Sequence, residues 1–393
     1  MNRKKNGFTT VELVIVIAVI AILATVLIPT FSGLIGKAND SKALQEAKNA
    51  HTNYLIEHGG TAPEYMLYQA GERFVALHKG APKGVYDSQR KAIEAILDDP
   101  NTETDESIKY TSIKTKTEEL FSVCVNEKVV DLVIFMGQSN MAGRGVANKA
   151  PTVPEGHGYE FRAISDPTKL FSIVEPFGKY ENNSVSGVTE ETKSGSMVSA
   201  FINAYYEERK VPVVAVSCSK GGKASSWFLP GTAVLNDAIA RHNAAKKYLE
   251  DNGYIIANNF MVWCQGESDG DNRVTYNRYK ENLTAIIEEM VTKAGIDFCA
   301  VVRIGNRRDN ATLYDEIIRA QTDLCKSNSK AVMVSAKLAG FAAEGKMKDQ
   351  FHYTQEGYNE VGADAGKNAA YYVETSKEPS MYDPEYDNTY PNK

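Results

Sequence analysis

The sequence predicts an α/β chain in two parts: a membrane-spanning N-terminal helix feeding a small α+β head, then a larger three-layer α/β/α domain on a parallel sheet. Three observations predict it. Residues 8–28 are predominantly apolar and follow a basic cluster; the chain after about residue 128 alternates short apolar runs with longer helical stretches; and a polar, Thr-rich segment without a period separates the two. At 393 residues, 43% hydrophobic and 24% charged, the chain has room for two or three globular domains. Its formal net charge of -6 leaves no basic excess, so nucleic acid is set aside as a partner.

From Leu13 to Ile28 every residue but Thr25 is apolar. Counted from Phe8, about 21 residues give roughly 31 Å of helix, enough to cross a bilayer. Arg3, Lys4 and Lys5 hold the N-terminus in the cytoplasm and send the rest of the chain outward, as a single-pass protein whose C-terminal domain is displayed outside. A cleaved secretory signal has a shorter apolar core and a small-residue cleavage site, and neither stands after Pro29. Glu12 is the anomaly. An unpaired carboxylate in hydrocarbon is costly, so Glu12 either has a partner or snorkels to the interface.

The stretch "KKNGFTTVELVIVIAVIAILATVLIPTF" resembles the type IV prepilin N-terminus of pilins and type II secretion pseudopilins. The resemblance implies a leader of residues 1–7, cut by prepilin peptidase after Gly7, with methylation of Phe8 as the new first residue. It also implies that Glu12, fifth after the cut, pairs with the N-terminal ammonium of a neighbouring pilin subunit, and that Pro29 bends the helix. Residues 8–58 then form a pilin-type helix whose first half lies in the membrane. Its second half, "GKANDSKALQEAKNAHTNYLIEHGG", turns amphipathic and stops at Gly59 and Gly60.

Residues 59–127 are read as a small pilin-like head and linker. "YMLYQAGERFVALHK" gives two short alternating stretches around Gly71, a hairpin, and "DSQRKAIEAILDD" has helical spacing. Asp98 to Lys116 is the expected linker. His51, His58 and His78 are read as surface residues rather than ligands. The five cysteines are odd in number and include no CxxC pair, so they are read as mostly buried thiols, with one disulfide left open for an exported chain.

From residue 128 to 375 the pattern is that of a sheet buried on both faces. "VVDLVIFM", "VPVVAVSC", "NNFMVWC", "DFCAVVRI" and "KAVMVSA" are apolar without polar alternation. In a doubly wound sheet, sites form where strands end. The first run is followed by "GQSNMAGRG", where Ser139 just past a strand would expose its hydroxyl near backbone N–H groups. The second is followed by "SKGGKASSW", where Gly221 or Gly222 lets a backbone N–H approach a substrate. After the third comes "WCQGESDGDN", with Gln265 and Glu267, and near the C-terminus comes "KDQFHYTQEGY", with Asp349 three residues before His352. Together these supply a nucleophile, an oxyanion hole, a base and a carboxylate to orient it. Singly, each has a plainer reading as a cap, a turn, a surface charge or a packing residue.

The set resembles the SGNH hydrolases, and within them the sialate O-acetylesterase and acetylxylan esterase branch, over roughly Val129 to Val373, with a flavodoxin-like fold implied. The resemblance implies Ser139 as nucleophile, His352 as base and Asp349 as its orienting partner. It implies an oxyanion hole from the Ser139 N–H, an N–H of Gly221 or Gly222, and the Gln265 side chain. Glu267 belongs to the branch's QGE signature and either assists His352 or shapes the site. Lys223 replaces an expected threonine and Cys264 an expected larger ring residue, which bears on substrate choice. No metal or organic cofactor is expected, and the implied substrate is an acetylated glycan, sialic acid or an acetylated polysaccharide. The main reading is a surface-displayed carbohydrate O-acetylesterase. The alternatives are a minor pilin or pseudopilin with a non-catalytic carbohydrate-binding head, and a pseudopilin for which the enzyme is cargo. Residues 376–393, rich in Pro, Tyr and Asp, are expected to be disordered.

Overall fold

The computed structural model describes residues 36–57, 59–71, 73–88, 91–92, 95 and 128–391, and the backbone of 110–114 and 120–125. The proposed leader, the apolar run, Gly7, Phe8, Glu12 and Pro29, and most of the helix expected over Asp87–Asp99, lie outside these residues. Among the described residues no helix is long and apolar enough to cross a membrane. The chain divides into two compact units, Met1–Asn126 and Glu127–Lys393.

In the first unit, residues 36–57 form helix α1, and an antiparallel sheet follows in the order β3-β2-β1-β5-β4. Its strands are β1 (Tyr65–Ala70), β2 (Arg73–His78), β3 (Ala81–Tyr86), β4 (Tyr110–Lys114) and β5 (Leu120–Val125). β1 and β2 pair from Tyr65 opposite His78 to Ala70 opposite Arg73, with Gly71 in the left-handed region at the turn. Ala43 and Ala47 of α1, small enough for close approach, pack with Met66, Tyr68, Val75 and Leu77. The expected linker is corrected in part, because Tyr110–Lys114 pairs with β5 as an edge strand. Its Thr-rich sequence has no apolar period, as befits a strand at a sheet edge.

The second unit carries a seven-stranded sheet in the order β12-β11-β10-β6-β9-β7-β8. The five apolar runs become β6 (Lys128–Gly137), β9 (Val213–Ser219), β10 (Tyr254–Cys264), β11 (Phe298–Val302) and β12 (Ala331–Ser335), all in parallel register. The sheet is mixed rather than wholly parallel. β7 (Gly158–Phe161) joins β9 in parallel, and β8 (Leu170–Ser172) pairs with β7 antiparallel at the edge. These two strands are only four and three residues long, too short to leave a pattern in the sequence.

Alternate side chains of each long strand enter different cores, which explains the unbroken apolar runs. Val133, Phe135, Val213, Ala215, Phe260 and Val262 face α3 (Val198–Arg209) and α8 (Gln355–Thr375). Leu132, Ile134, Val214, Val216, Met261 and Trp263 face α4 (Ala233–Asp251), α6 (Tyr276–Ala294) and α7 (Asp315–Ser327). Two short helices, α2 (Ser139–Ala142) and α5 (Glu267–Asp271), start just beyond the ends of β6 and β10. β6 lies at the centre, with β9 on one side and β10 on the other, so the chain winds away in both directions from its C-terminal end.

The disordered tail is a further correction. Residues 381–390 form a hairpin of β13 (Met381–Asp383) and β14 (Asn388–Tyr390). Asp383 receives both terminal nitrogens of Arg303, which emerges from β11, and both residues are buried. A low-periodicity tail conceals such an anchor, because one buried ion pair and one buried Tyr390 ring leave no repeating pattern. Asp383→Ala strands the Arg303 charge, and its expected cost is about 3–5 kcal/mol. Trp227 and Trp263, the only tryptophans, both lie in this unit, so their fluorescence during urea unfolding reads the loss. A wild-type midpoint would mean that the hairpin adds nothing to the domain.

Candidate active site

The site begins where β6 ends. Gly137 has φ 142°, and a Cβ there would lie 2.0 Å from the Cys264 carbonyl oxygen, so only glycine lets β6 and β10 run this close before the chain turns. Ser139 then opens α2, whose N–H groups of Met141 and Ala142 return to the Gln138 carbonyl. The first-turn N–H groups of Ser139 and Asn140 have no intrahelical acceptor and point out of the helix start.

The base arrives from 213 residues away. The Asp349 Oδ1 accepts the backbone N–H of Phe351 at 3.0 Å and of His352 at 2.7 Å, so this carboxylate folds its own loop. Two residues on, Thr354 caps α8 through its hydroxyl. Asp349 Oδ2 accepts from His352 Nδ1 at 2.9 Å, and His352 Nε2 lies 3.0 Å from Ser139 Oγ. A carboxylate only accepts, so Nδ1 carries the proton and Nε2 is free to accept from the serine. Burial lowers the His352 pKa below its ordinary value of 6.5 against the opposing pull of Asp349. Burial pushes the Asp349 carboxyl up, but the Phe351 N–H and His352 outweigh it, and its net shift is downward.

Gly221 and Gly222 separate in the structure. A Cβ on Gly221 would lie 3.4 Å from Ser139 Cβ and 2.5 Å from Arg144, whereas one on Gly222 would meet nothing within 4 Å. Gly221 is therefore the glycine against the nucleophile. Its N–H donates to Glu190 Oε2 at 2.6 Å, and Glu190 Oε1 pairs with Arg144 at 3.0 Å and accepts from Thr192 Oγ1 at 2.6 Å. Neither Arg144 nor Glu190 was assigned a part from the sequence. Arg144 stood inside "GQSNMAGRG" as part of the match, and Glu190 lies in the long loop between Ser172 and Val198, where no motif marks it.

Gln265 is not placed as expected. It is fully buried, and its amide nitrogen faces Asp269 Oδ2, the Lys223 carbonyl at 3.1 Å and Gln138 Oε1 at 3.3 Å. Three acceptors for two hydrogens leave no donor for an oxyanion. Its own oxygens take the Tyr279 hydroxyl, at 2.7 Å on the carbonyl and 3.2 Å on the amide. Gln265 thus braces the loop after β9 instead of facing the reacting centre. Of the two readings of Glu267, beside His352 or shaping the site, its contacts fit the second: its Oε1 accepts from Asn140 Nδ2, and its Oε2 is buried without a hydrogen-bond partner. Burial raises its pKa to about 7.

Cys264 is fully buried and burial drives its thiol pKa well above 9.0, so it stays un-ionised at neutral pH. Cys218, Cys299 and Cys325 are likewise buried and free. Among the described residues no three His, Cys, Asp or Glu side chains are grouped to hold a metal ion. The arrangement is a serine hydroxyl hydrogen-bonded to an imidazole, which a carboxylate holds in the accepting tautomer, beside a glycine loop and a guanidinium. Its chemistry is acyl transfer.

Residues 129–370 match the family described as carbohydrate esterase, sialic acid-specific acetylesterase, and residues 2–28 match the prokaryotic N-terminal methylation motif. A type IV major pilin protein of Neisseria gonorrhoeae is 42% identical over 62 residues, which is 15% of this chain and 38% of the pilin. A fimbrial protein of Neisseria meningitidis serogroup B is also 42% identical over 62 residues, 15% of this chain and 36% of its own. The chain therefore spans well under half the length of the curated relatives it matches. Among solved structures, a protein of Arabidopsis thaliana is 22% identical, covering 62% of this chain and 98% of that one with a TM-score of 0.48. A carbohydrate acetylesterase from Xanthomonas citri is 11% identical, covering 82% of this chain and 74% of that one with a TM-score of 0.42.

Proposed function

We propose, on the premise that this chain belongs to the carbohydrate esterase family of sialic acid-specific acetylesterases, that it removes acetyl groups from hydroxyls of glycans by serine catalysis. The observation that carries the proposal is the continuous hydrogen-bonded line from Asp349 through His352 to Ser139. Ser139 Oγ attacks the acetyl carbon while His352 Nε2 takes its proton. The oxyanion develops beside the Ser139 N–H and the Gly221 loop, whose N–H is held by Glu190, the partner of Arg144. His352 then returns the proton to the leaving sugar oxygen, and water, activated by the same imidazole, frees acetate. The substrate class is an O-acetylated glycan, sialic acid or an acetylated polysaccharide, which gives its acetyl group to Ser139 and, through it, to water.

Only neutral His352 accepts the serine proton, and its pKa is lowered below 6.5. On the acid side the rate should therefore fall to half its plateau only below pH 6.5, and approach unit slope at lower pH. Acetate release from a panel of acetylated glycans, followed across pH, checks both parts. No release from any member at any pH would leave the domain a binding head.

The prepilin-like N-terminus supports delivery of this chemistry to the outside of the cell, with cleavage after Gly7, methylation of Phe8 and helix packing through Glu12. Prepilin peptidase is the processing partner, and other pilin subunits are the assembly partners. The mass of the N-terminal peptide from the cellular protein tests this: methylated Phe8 is expected, and a peptide that starts at Met1 would rule processing out.

A further inference from the structure

The nucleophile and the base are joined by a second route besides their own hydrogen bond. Asn140, next to Ser139, donates from Nδ2 to the carbonyl of Phe351, next to His352, at 3.0 Å. The same nitrogen donates to Glu267 Oε1, and the Tyr358 hydroxyl donates to Asn140 Oδ1 at 2.6 Å. The amide orientation is fixed by its partners, since the Phe351 carbonyl only accepts. Every hydrogen-bonding group of the Asn140 side chain is thereby engaged, and Asn140, Glu267 and Tyr358 are all buried. Four segments, the start of α2, the start of α5, the loop before α8 and α8 itself, meet at this one amide.

We infer that Asn140 and Glu267 are positioning residues: Glu267 holds the Asn140 amide against the Phe351 carbonyl, and this hydrogen bond sets the distance between Ser139 and His352. The inference rests on the serine mechanism proposed above. Glu267 hydrogen-bonds Asn140 and not His352, and the leading charges on the imidazole are those of Asp349, Arg144 and Lys348. Its function is that of an acceptor, not of an anion. The pKa near 7 agrees, because a carboxyl that is substantially protonated at neutral pH still offers Oε1 to Asn140. Displacing reacting groups by about 1 Å costs on the order of 10²-fold in rate.

The test uses the full chain and a small acetyl ester. Glu267→Ala is expected to lower kcat about 10²-fold with KM changed less than about threefold, and Glu267→Gln, which restores an oxygen acceptor, to recover kcat to within about fivefold of wild type. In an Asn140→Ala background the Glu267→Ala loss should vanish, since the two act as one unit. If Asn140→Ala fails to fold, Tyr358→Phe supplies the second corner of the cycle and should share part of the Glu267→Ala loss. A Gln variant as slow as the Ala variant, an additive cycle, or a Glu267→Ala kcat within twofold of wild type would each overturn the inference. Failure of the serine mechanism reads differently, as full activity in Ser139→Ala.

Discussion

Ser139→Ala is expected to slow acetate release by about 10⁴–10⁶-fold, leaving only the residual rate that binding and oxyanion stabilisation provide. The loss has a direct physical origin. Ser139 Oγ is the atom 3.0 Å from His352 Nε2, the nitrogen that takes its proton. Cys264, the thiol nearest in sequence to the QGE motif, is fully buried and held as an un-ionised thiol. Folding should be little affected, because alanine keeps the α2 backbone and removes only one small polar group. A variant that releases acetate at the wild-type rate with the wild-type fold would refute the proposed mechanism.

Asp349→Asn is expected to lower kcat on the order of 10³–10⁴-fold while the protein remains folded. Asn keeps an oxygen to accept the Phe351 and His352 N–H groups, so the loop geometry survives. Its amide hydrogens then face Nδ1, which favours the tautomer with the proton on Nε2. That nitrogen no longer accepts from Ser139. Asp349→Ala should in addition loosen the loop, so a comparison of the two separates tautomer control from loop folding. Near wild-type turnover in Asp349→Asn would mean that the tautomer is fixed by another group.

Much of the chain was legible before its structure. Five unbroken apolar runs announced five strands buried on both faces, and each was found as a parallel strand. The reading missed β3 and β5 of the first unit, and the rest of what it missed is short or aperiodic: β7 and β8, the edge strand Tyr110–Lys114, and the tail hairpin held by Arg303 and Asp383. Periodicity is a signal from repeated burial, and a single buried ion pair repeats nothing.

The site divides in the same way. Ser139, His352 and Asp349 were picked out from motifs that follow a strand end or precede a helix cap, and the structure brings the three side chains together. Their spacing in sequence says nothing of their distance in space, yet the fold brings residues 213 positions apart to 3.0 Å. For Gln265 residue type was misleading and for Glu267 it left two roles open, since a donor or a carboxylate in a motif serves either the substrate or the scaffold. Only their neighbours decide, and the neighbours are Asp269, the Lys223 carbonyl and Gln138 for one, and Asn140 for the other. Gly221 and Gly222 were indistinguishable as letters and differ in what stands beside them.

The amino-acid sequence by itself supplied two patterns: a serine, a histidine and an aspartate in hydrolase motifs, and an N-terminal stretch that matches the prokaryotic methylation motif. Both rest on local features, residue type and spacing along the chain. The tertiary structure decided which glycine lies against the nucleophile, that Glu190 holds its N–H, and that Glu267 reaches the site through Asn140. Those are contacts between distant segments, and hydrogen-bond geometry in three dimensions, not order along the chain, determines which donor meets which acceptor.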